Sequence, residues 1–440
     1  MIQTTPMILA IVAIAGVLVV LARLDSWRRL YFITILLLFA ATCNQPQIAA
    51  VAYYPRYLAA GVLASWTWYH HRHEARRLAD LGIGPQRLVK GLWLAVAVGG
   101  LSTLWSVDKP TTASQTLALG FLTATVHGLV TRRWTDIERV ADDLGVAAVL
   151  LAVMFGAGIV ADWVGLGGTR TVAGQVEGVA VFGGRFAGLY NNPNELGMTC
   201  ALVLPICWGA YRWTGKRMYL LATIPTAASL VLSESRTAAV AVICGILWVL
   251  ARKGLFKVIP IAVAASFTAC VSYLVAASAS IPLPAVFSSL SSRFTANQGG
   301  DLLNTRTVAW NYAFTLWQRE PVSGYGYGSG PSLFSAARRS GALNFAADVV
   351  HNSYLQWLLE LGLAGLLPLA VLLLACAGAL RARLDPLGAA LVCTVVAGLL
   401  IQMTESGMFG TGETYPFIFW LVVAGVLVRT GTDRHRVQNS

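Results

Sequence analysis

The chain has 440 residues, of which 56% are hydrophobic and only 12% carry a charge. That balance excludes an ordinary soluble protein, because too little polar surface remains to face water. The net charge of +12 would fit a nucleic-acid-binding protein, but more than half of the lysines and arginines lie in short segments between apolar runs. The positive-inside rule makes those segments cytoplasmic, so the charge reflects membrane topology and no nucleic-acid partner is expected.

Long apolar runs recur along the chain, each closed by Arg, Lys, Pro or Asn, as spans of a bilayer core of about 30 Å require. Arg23, Arg28 and Arg29 favour a cytoplasmic loop and three spans before residue 70, whereas the short second run allows a broken pair, so the count is twelve or thirteen. The candidate spans are 7–22, 30–46, 53–70, 91–106, 112–131, 143–164, 194–211, 218–234, 236–251, 257–279, 352–379, 385–404 and 415–429.

The predicted fold class is an all-α polytopic integral membrane protein with about 12 transmembrane helices and one large, partly helical loop away from the cytoplasm. Residues 1–279 are expected to hold roughly the first ten helices, with an outer segment near 165–193. Residues 280–350 form the large outer loop with amphipathic helices, and residues 351–440 form the last helices and a cytoplasmic tail. The seven cysteines include no CxxC pair, which argues against a disulfide framework or a metal site.

The outer segment ends in GRFAGLYNNPNELG, residues 184–197, where glycines, a proline and three asparagines precede an apolar run. Asn192, Pro193 and Asn194 are typical of a helix start. A helix N-terminus directed into a cavity offers unpaired N–H groups and a positive dipole end to a phosphate. Arg185 opens the same stretch. The alternative, a re-entrant loop capped by asparagine, stays open.

Arg236 lies in SESRT, residues 233–237, a very short outer turn between two apolar runs. A guanidinium so close to membrane depth costs about 2.5–3.5 kcal/mol on insertion scales, which marks it as a candidate for anion binding. An internal ion pair with Glu234 is the alternative.

In the large outer loop, aromatic and small residues recur at helical spacing from Trp310 to Trp317, which predicts an amphipathic helix on the membrane surface. Arg306 stands among its polar residues, and Arg338 is another basic residue of the outer face. The stretch GYGYGSGP, residues 324–331, predicts a loop. It lacks the lysine of a nucleotide-binding loop and lies outside, which argues against ATP binding.

His351 is the one histidine that this topology places on the outer face, at the start of the span after the large loop. A neutral imidazole there can accept a proton from a sugar hydroxyl, whereas a hydrogen-bonded cap residue is the alternative. The planar fork of arginine binds diphosphate bidentately, and the neighbouring lipid can hold a polyprenyl tail. The pattern therefore favours a lipid-diphosphate substrate.

With these motifs the chain resembles the O-antigen ligase family, within a superfamily that also contains O-antigen polymerases and protein O-oligosaccharyltransferases. The resemblance covers the span count, the 184–197 stretch, the turn at Arg236 and the outer loop from Arg306 to His351. It includes the ten residues between His351 and Gly362, a spacing that the ligases share. Where ligases carry leucine four positions after the arginine, this chain has Val240. Family members are described with twelve spans and both termini inside, which favours two spans before residue 70.

The resemblance implies a class C glycosyltransferase-like fold in the bacterial inner membrane, with its active site facing the periplasm. The implied reaction transfers a polysaccharide from undecaprenyl diphosphate to a sugar of lipid A-core, in lipopolysaccharide biosynthesis, without nucleotide, cofactor or metal. The expected partners are thus the lipid-linked donor, the lipid A-core acceptor and membrane lipid.

For this chemistry we expect His351 to act as the base or to orient the acceptor. Arg236 and Arg306 are expected to hold the diphosphate in place of a metal ion, with Arg185 assisting. The predicted substrate-binding set is completed by Asn192, Asn194 and Arg338. Direct displacement by the acceptor would invert the anomeric centre.

Three rival functions remain. A polymerase or a protein O-oligosaccharyltransferase of the same superfamily would share the donor chemistry, and the spacing from His351 to Gly362 favours the ligase over the polymerase. A flippase or other transporter would need charges deep in the spans of both halves. The notable charges here gather at the outer face instead.

Overall fold

The computed structural model describes residues 25–70, 72–165, 168–170, 174–176, 179–181, 184–254, 304–341, 343, 349–409 and 413–438. The predicted spans 7–22 and 257–279, and residues 280–303 of the predicted outer loop, lie outside the described residues.

The described chain is helical apart from one short hairpin. Its helices are α1 (Ser26–Ala40), α2 (Pro46–Tyr53), α3 (Pro55–His70), α4 (Ile83–Ser102), α5 (Lys109–Gly128), α6 (Ile137–Trp163), α7 (Pro193–Thr214), α8 (Arg217–Leu232), α9 (Arg236–Arg252), α10 (Asn304–Trp317), α11 (Gly330–Arg339), α12 (Ser353–Leu361), α13 (Leu366–Ala379), α14 (Pro386–Ile401) and α15 (Thr414–Gln438). Strands β1 (Gly174–Val176) and β2 (Val179–Val181) pair antiparallel, with Gln175 opposite Ala180. Short 3₁₀ turns occupy Arg72–Glu74, Leu78–Asp80 and Gly362–Gly365, and a π-helical turn occupies Leu129–Arg133.

Two described segments, Ile137–Trp163 and Ser353–Ala379, are long and apolar enough to cross a bilayer. The second consists of α12, the 3₁₀ turn and α13. Three shorter apolar helices, Arg217–Leu232, Pro386–Ile401 and Thr414–Arg429, accompany them. These apolar helices fit an integral membrane protein, and the total of twelve spans stays a prediction.

Helix α15 lies at the centre of the bundle. It packs against α1, α4, α5, α6, α7, α13 and α14, and its side chains from Phe417 to Val428 are buried on every face. A helix that is apolar all round requires such an environment. Around it, α7 packs tightly against α8 and α14, and α9 packs against α14.

Side-chain caps fix where several helices begin. Asp136 Oδ1 accepts a hydrogen bond from Arg139 N (2.8 Å) at α6, and Asn352 Oδ1 accepts one from Leu355 N (3.0 Å) at α12. Each cap satisfies a backbone donor that the first turn leaves without a helical partner. At the other end of α7, Gly215 adopts a left-handed φ of 72°, as helix-ending glycines do.

Basic residues gather at the end of the bundle opposite His351. Arg252 Nη1 donates to the carbonyl oxygens of Leu380 (2.5 Å) and Ala382 (3.0 Å), and Arg429 pairs with Asp385. Both arginines belong to segments that the sequence assigns to the cytoplasm. They satisfy carbonyl and carboxylate oxygens where the apolar helices end.

The helix predicted between Trp310 and Trp317 is present as α10, and its position on the membrane surface stays a prediction. Ala309, Ala313 and Leu316 pack in a small apolar cluster with α11 and α12. Phe314 is 46% exposed. The helix therefore uses its small residues to approach neighbouring helices closely.

The glycine-rich stretch predicted as a loop is a loop from Gly324 to Ser329, whereas Gly330 and Pro331 begin α11. Glu360 fastens this loop to α12. The buried Glu360 carboxylate accepts hydrogen bonds from Gly328 N (2.8 Å) and Gly330 N (3.1 Å). The backbone carbonyl of Glu360 accepts one from Gly326 N (2.8 Å). Gly326 has a φ of 102°, and a Cβ there would lie 2.2 Å from Ser106 Oγ. The loop thus needs glycine both for its backbone conformation and for its packing.

We expect Gly326→Ala to lower the melting temperature of the detergent-purified protein more than Gly341→Ala does. Gly341 also has a positive φ (72°) but open space around it, so alanine there meets only backbone strain, about 1–2 kcal/mol. Gly326→Ala adds a steric clash to a similar strain. Thermal unfolding monitored by tryptophan fluorescence measures both, and equal losses would contradict the packing argument.

Candidate functional site

Glu405 joins two of the predicted site residues through its two carboxylate oxygens. Its Oε1 accepts from Arg306 Nη2 at 2.5 Å, and its Oε2 lies 3.3 Å from His351 Nδ1. The Glu405 side chain is only 7% exposed, whereas those of Arg306 and His351 are 21% and 25% exposed. A carboxylate buried to this extent requires partners, and a guanidinium and an imidazole supply them.

The turn that carries Glu405 is held against the start of α12 by Ser353. Its hydroxyl accepts from Gly407 N (2.9 Å) and Met408 N (3.0 Å) and donates to the side-chain oxygen of Gln402. Its backbone N–H reaches the carbonyls of Gln402 (2.9 Å) and Glu405 (3.1 Å). Because His351 stands two residues before Ser353, this network fixes the imidazole beside the carboxylate.

The backbone of His351 is itself unusual. Its φ is 53°, in the left-handed region that non-glycine residues rarely occupy. The carbonyl of His351 accepts a hydrogen bond from Trp310 Nε1 at 3.3 Å. Glu234, in the turn before Arg236, has the other positive φ among the described non-glycine residues, 51°. Strain of this kind persists only where surrounding contacts impose it, and it clusters at functional sites.

The start of α7 approaches Glu405 from another side. Asn192 caps this helix, its Oδ1 accepting from Asn194 N (2.8 Å). Arg185 Nη2 donates to Asn194 Oδ1 (2.8 Å) and to the Ser233 carbonyl (2.9 Å). The Asn194 amide nitrogen lies 3.4 Å from Glu405 Oε1. The helix start predicted at Asn192 is thus present, and it is linked to Arg185.

The other two predicted arginines stand differently. Arg236 is exposed and begins α9, and the next residue, Thr237, hydrogen-bonds Thr404 (3.3 Å) beside Glu405. This contact brings the N-terminus of α9 to the cluster. Arg338 is exposed in the last turn of α11, and no contact within the described ranges links it to Glu405. The structure therefore brings Arg306, His351 and Asn194 to Glu405. It links Arg185 and Asn192 to Asn194, places Arg236 at the start of the neighbouring α9, and leaves Arg338 apart.

A cavity of about 170 Å³ opens beside His351. Its wall includes Tyr190, Asn192, Asn194, Glu195, His351, Glu405 and Glu413. We call it the acidic cavity, after its three glutamates. Burial raises the pKa of Glu413 above its ordinary value, and the Arg56 guanidinium opposes this shift. Within the described ranges, no group of three or more His, Cys, Asp or Glu side chains is arranged to hold a metal ion.

The family model described as O-antigen ligase matches residues 221–370. Residues 221–370 are thus similar to the O-antigen ligase family. The predicted resemblance is thereby confirmed. A search of the curated proteins finds no match to the chain.

The O-antigen ligase match includes some residues of the candidate site and excludes others. The match covers about a third of the chain. It contains Arg236, Arg306 and His351. Arg185 and Glu405 lie outside it, on either side along the sequence. The match also contains Gly362, whose spacing from His351 now has a physical reason. Gly362 ends α12 with a φ of 59°, and a Cβ there would lie 2.4 Å from the Val322 carbonyl oxygen.

The sequence interpretation missed Glu405. Glu405 follows the apolar run 385–404, where a carboxylate is normally a solvated turn residue. Its one sequence signal is position, since it is an acidic residue at the outer end of a span, in the same outer layer as His351. Glu195 was interpreted only as part of a helix start, and Glu413, just before the predicted span 415–429, was not predicted as a site residue.

We expect Ser353→Ala to destabilise the protein because it leaves the buried N–H groups of Gly407 and Met408 without their hydroxyl acceptor. An unsatisfied buried donor costs about 1–3 kcal/mol. The matched control is Ser114→Ala, which removes an exposed hydroxyl bonded only within its own helix turn. Melting temperatures in detergent compare them, and a Ser353→Ala protein as stable as the control would refute the role of this hydroxyl.

Proposed function

We propose that the protein is an O-antigen ligase that transfers a polysaccharide from undecaprenyl diphosphate to lipid A-core oligosaccharide at the periplasmic face of the bacterial inner membrane. The observation that carries this proposal is the Glu405 carboxylate shared between Arg306 and His351. It sets a candidate proton acceptor beside a candidate diphosphate-binding cation, at one end of an apolar bundle. The family match over residues 221–370 supports the same chemistry.

His351 would act as the general base. When Nδ1 carries the hydrogen and donates a hydrogen bond to Glu405, Nε2 presents the lone pair that accepts the proton of the attacking hydroxyl. Glu405 then balances the imidazolium that forms and keeps the ring oriented, as a carboxylate partner does in other base–carboxylate pairs. The left-handed backbone of His351 fixes the ring further.

Arginines would stabilise the departing diphosphate. Arg306 donates a hydrogen bond from Nη2 to Glu405, and its guanidinium has further N–H donors for phosphate oxygens. Arg236 and Arg185 would add positive charge nearby. Arg338 stays a predicted contributor. The C–O bond to the phosphate breaks as the acceptor oxygen bonds to the anomeric carbon, so a single displacement inverts that centre. With guanidinium groups holding the charge, the proposed reaction needs no metal ion.

The nearest alternatives are a polymerase or a protein O-oligosaccharyltransferase of the same superfamily. These differ from the ligase in the acceptor, so the accumulating product separates them. A strain lacking the gene would accumulate finished polymer on its lipid carrier if the protein is a ligase. Single repeat units would accumulate for a polymerase, and unglycosylated protein for the oligosaccharyltransferase. A flippase would move the lipid-linked glycan but would not transfer it in detergent solution.

We expect His351→Ala to reduce glycan transfer by at least about a hundred-fold, the lower range of general-base contributions. Transfer from the lipid-linked donor to lipid A-core is measured with purified protein by gel mobility of the product. His435→Ala, in the tail that the sequence assigns to the cytoplasm, serves as the matched control and should transfer normally. Near-normal transfer by a folded His351→Ala protein would refute the base assignment.

We expect Arg306→Ala to raise the KM for the lipid-linked donor about ten-fold or more, because a charge-assisted hydrogen bond to the diphosphate is lost. The KM for the acceptor should change far less. Since removing Arg306 also strips Glu405 of its partner, the double variant Arg306→Ala/Glu405→Gln tests the effect without an unpaired carboxylate. The control is Arg319→Ala, an exposed arginine of the same predicted loop. An unchanged donor KM in both Arg306 variants would rule out the diphosphate contact.

A further inference from the structure

Arg306 and the acidic cavity meet at Glu405. The Arg306 guanidinium lies on Glu405 Oε1. The wall of the acidic cavity holds Glu195, Glu405 and Glu413, and it includes no described arginine or lysine. A diphosphate would find a cation at Arg306 and none in that wall. The acidic cavity therefore suits a different part of the substrates.

Glu195 is a carboxylate in this cavity with one buried oxygen that lacks a hydrogen-bond partner within the described residues. It occupies the third helical position after the Asn192 cap, from which a glutamate commonly reaches back to the N–H of the cap residue. Here Glu195 Oε2 is buried and has no hydrogen-bond partner in the described part of the chain. A buried polar atom without a partner is costly, and it points to a ligand or an ordered water that completes it.

The neighbours of Glu195 are groups that bind hydroxyls. Asn192 and Asn194 supply amides, and Tyr190 and Thr199 supply hydroxyls, all in the wall of the cavity. Carboxylates and amides accept hydrogen bonds from sugar hydroxyls in the same way that they accept them from protein hydroxyls. At about 170 Å³ the cavity is smaller than the roughly 300–1,000 Å³ pockets that enclose drug-sized ligands. One sugar ring matches this size better than a chain of several.

We infer that the acidic cavity is a subsite for a single sugar ring and that Glu195 accepts hydrogen bonds from the hydroxyls of that ring. This inference rests on the proposed glycan transfer. The acceptor sugar is the occupant that the geometry favours. Its attacking hydroxyl must meet His351, which forms part of the cavity wall, while the first sugar of the donor is tied to a diphosphate, for which the described wall offers no arginine or lysine. Either sugar, that of the acceptor or the first one of the donor, would present a polyhydroxylated ring to the cavity.

The test is steady-state transfer by purified Glu195→Gln and Glu195→Ala proteins, with donor and lipid A-core acceptor varied separately. We expect Glu195→Ala to raise the acceptor KM about ten- to a hundred-fold, the loss of a hydrogen bond to a charged group. Glu195→Gln, which keeps one acceptor oxygen, should show a smaller rise. The donor KM should stay within about two-fold of wild type for both variants. The control is Glu320→Gln, an exposed carboxylate outside the cavity.

Equilibrium binding gives a readout that does not depend on turnover. Lipid A-core purified from a strain without O antigen is titrated into His351→Ala protein, with and without Glu195→Gln, and we expect weaker binding in the double variant. A rise in the donor KM instead would assign the ring to the donor and keep the subsite. Unchanged KM values for both substrates, in variants that fold and transfer, would overturn the subsite. That outcome differs from failure of the proposed function, in which the wild-type protein itself transfers no glycan.

Discussion

The site depends on one electrostatic requirement, that the buried carboxylate of Glu405 be compensated. An isolated buried charge is expensive, and removing one partner of a buried pair is strongly destabilising. Arg306 and His351 meet this requirement with one carboxylate oxygen each. Because Arg306 lies on α10, His351 before α12 and Glu405 after α14, satisfying the carboxylate also brings three distant segments together. The same contact that stabilises the fold thus assembles the predicted chemistry.

Close backbone approach makes that assembly possible. The loop at Gly326 packs on Ser106 and on α12, and Gly362 lets the end of α12 touch the Val322 carbonyl. Glu360 then binds the loop N–H groups that the turn leaves unpaired. These contacts set the position of α12 against the large outer loop, and His351 stands at the start of α12. The glycine spacing of the sequence is therefore a packing requirement of the site's framework, and it needs no nucleotide to explain it.

The sequence predicted what local physics determines. The apolar runs predicted helices, Asn192 predicted the start of α7, and the glycine-rich stretch predicted a loop. Caps and turns can be predicted in this way because they depend on neighbouring residues. The sequence did not predict that α10 packs against α11 and α12, since small residues such as Ala309 and Ala313 are buried only because these helices lie above them. Glu405 was missed for a similar reason. It meets His351 across 54 residues of chain, and no periodicity in a single sequence encodes that contact.

In the proposed reaction, the charges around His351 also bear on where each substrate binds. During a single displacement, negative charge grows on the departing phosphate oxygen while the imidazole gains a proton. The Arg306 guanidinium favours the first change, and the Glu405 carboxylate favours the second. Exchanging the two groups would oppose both. Glu405 contacts both Arg306 and His351, so its carboxylate can balance the imidazolium without leaving Arg306. A histidine among arginines alone would hold its new proton poorly, and for this reason the proposed mechanism needs the carboxylate as much as the guanidinium groups.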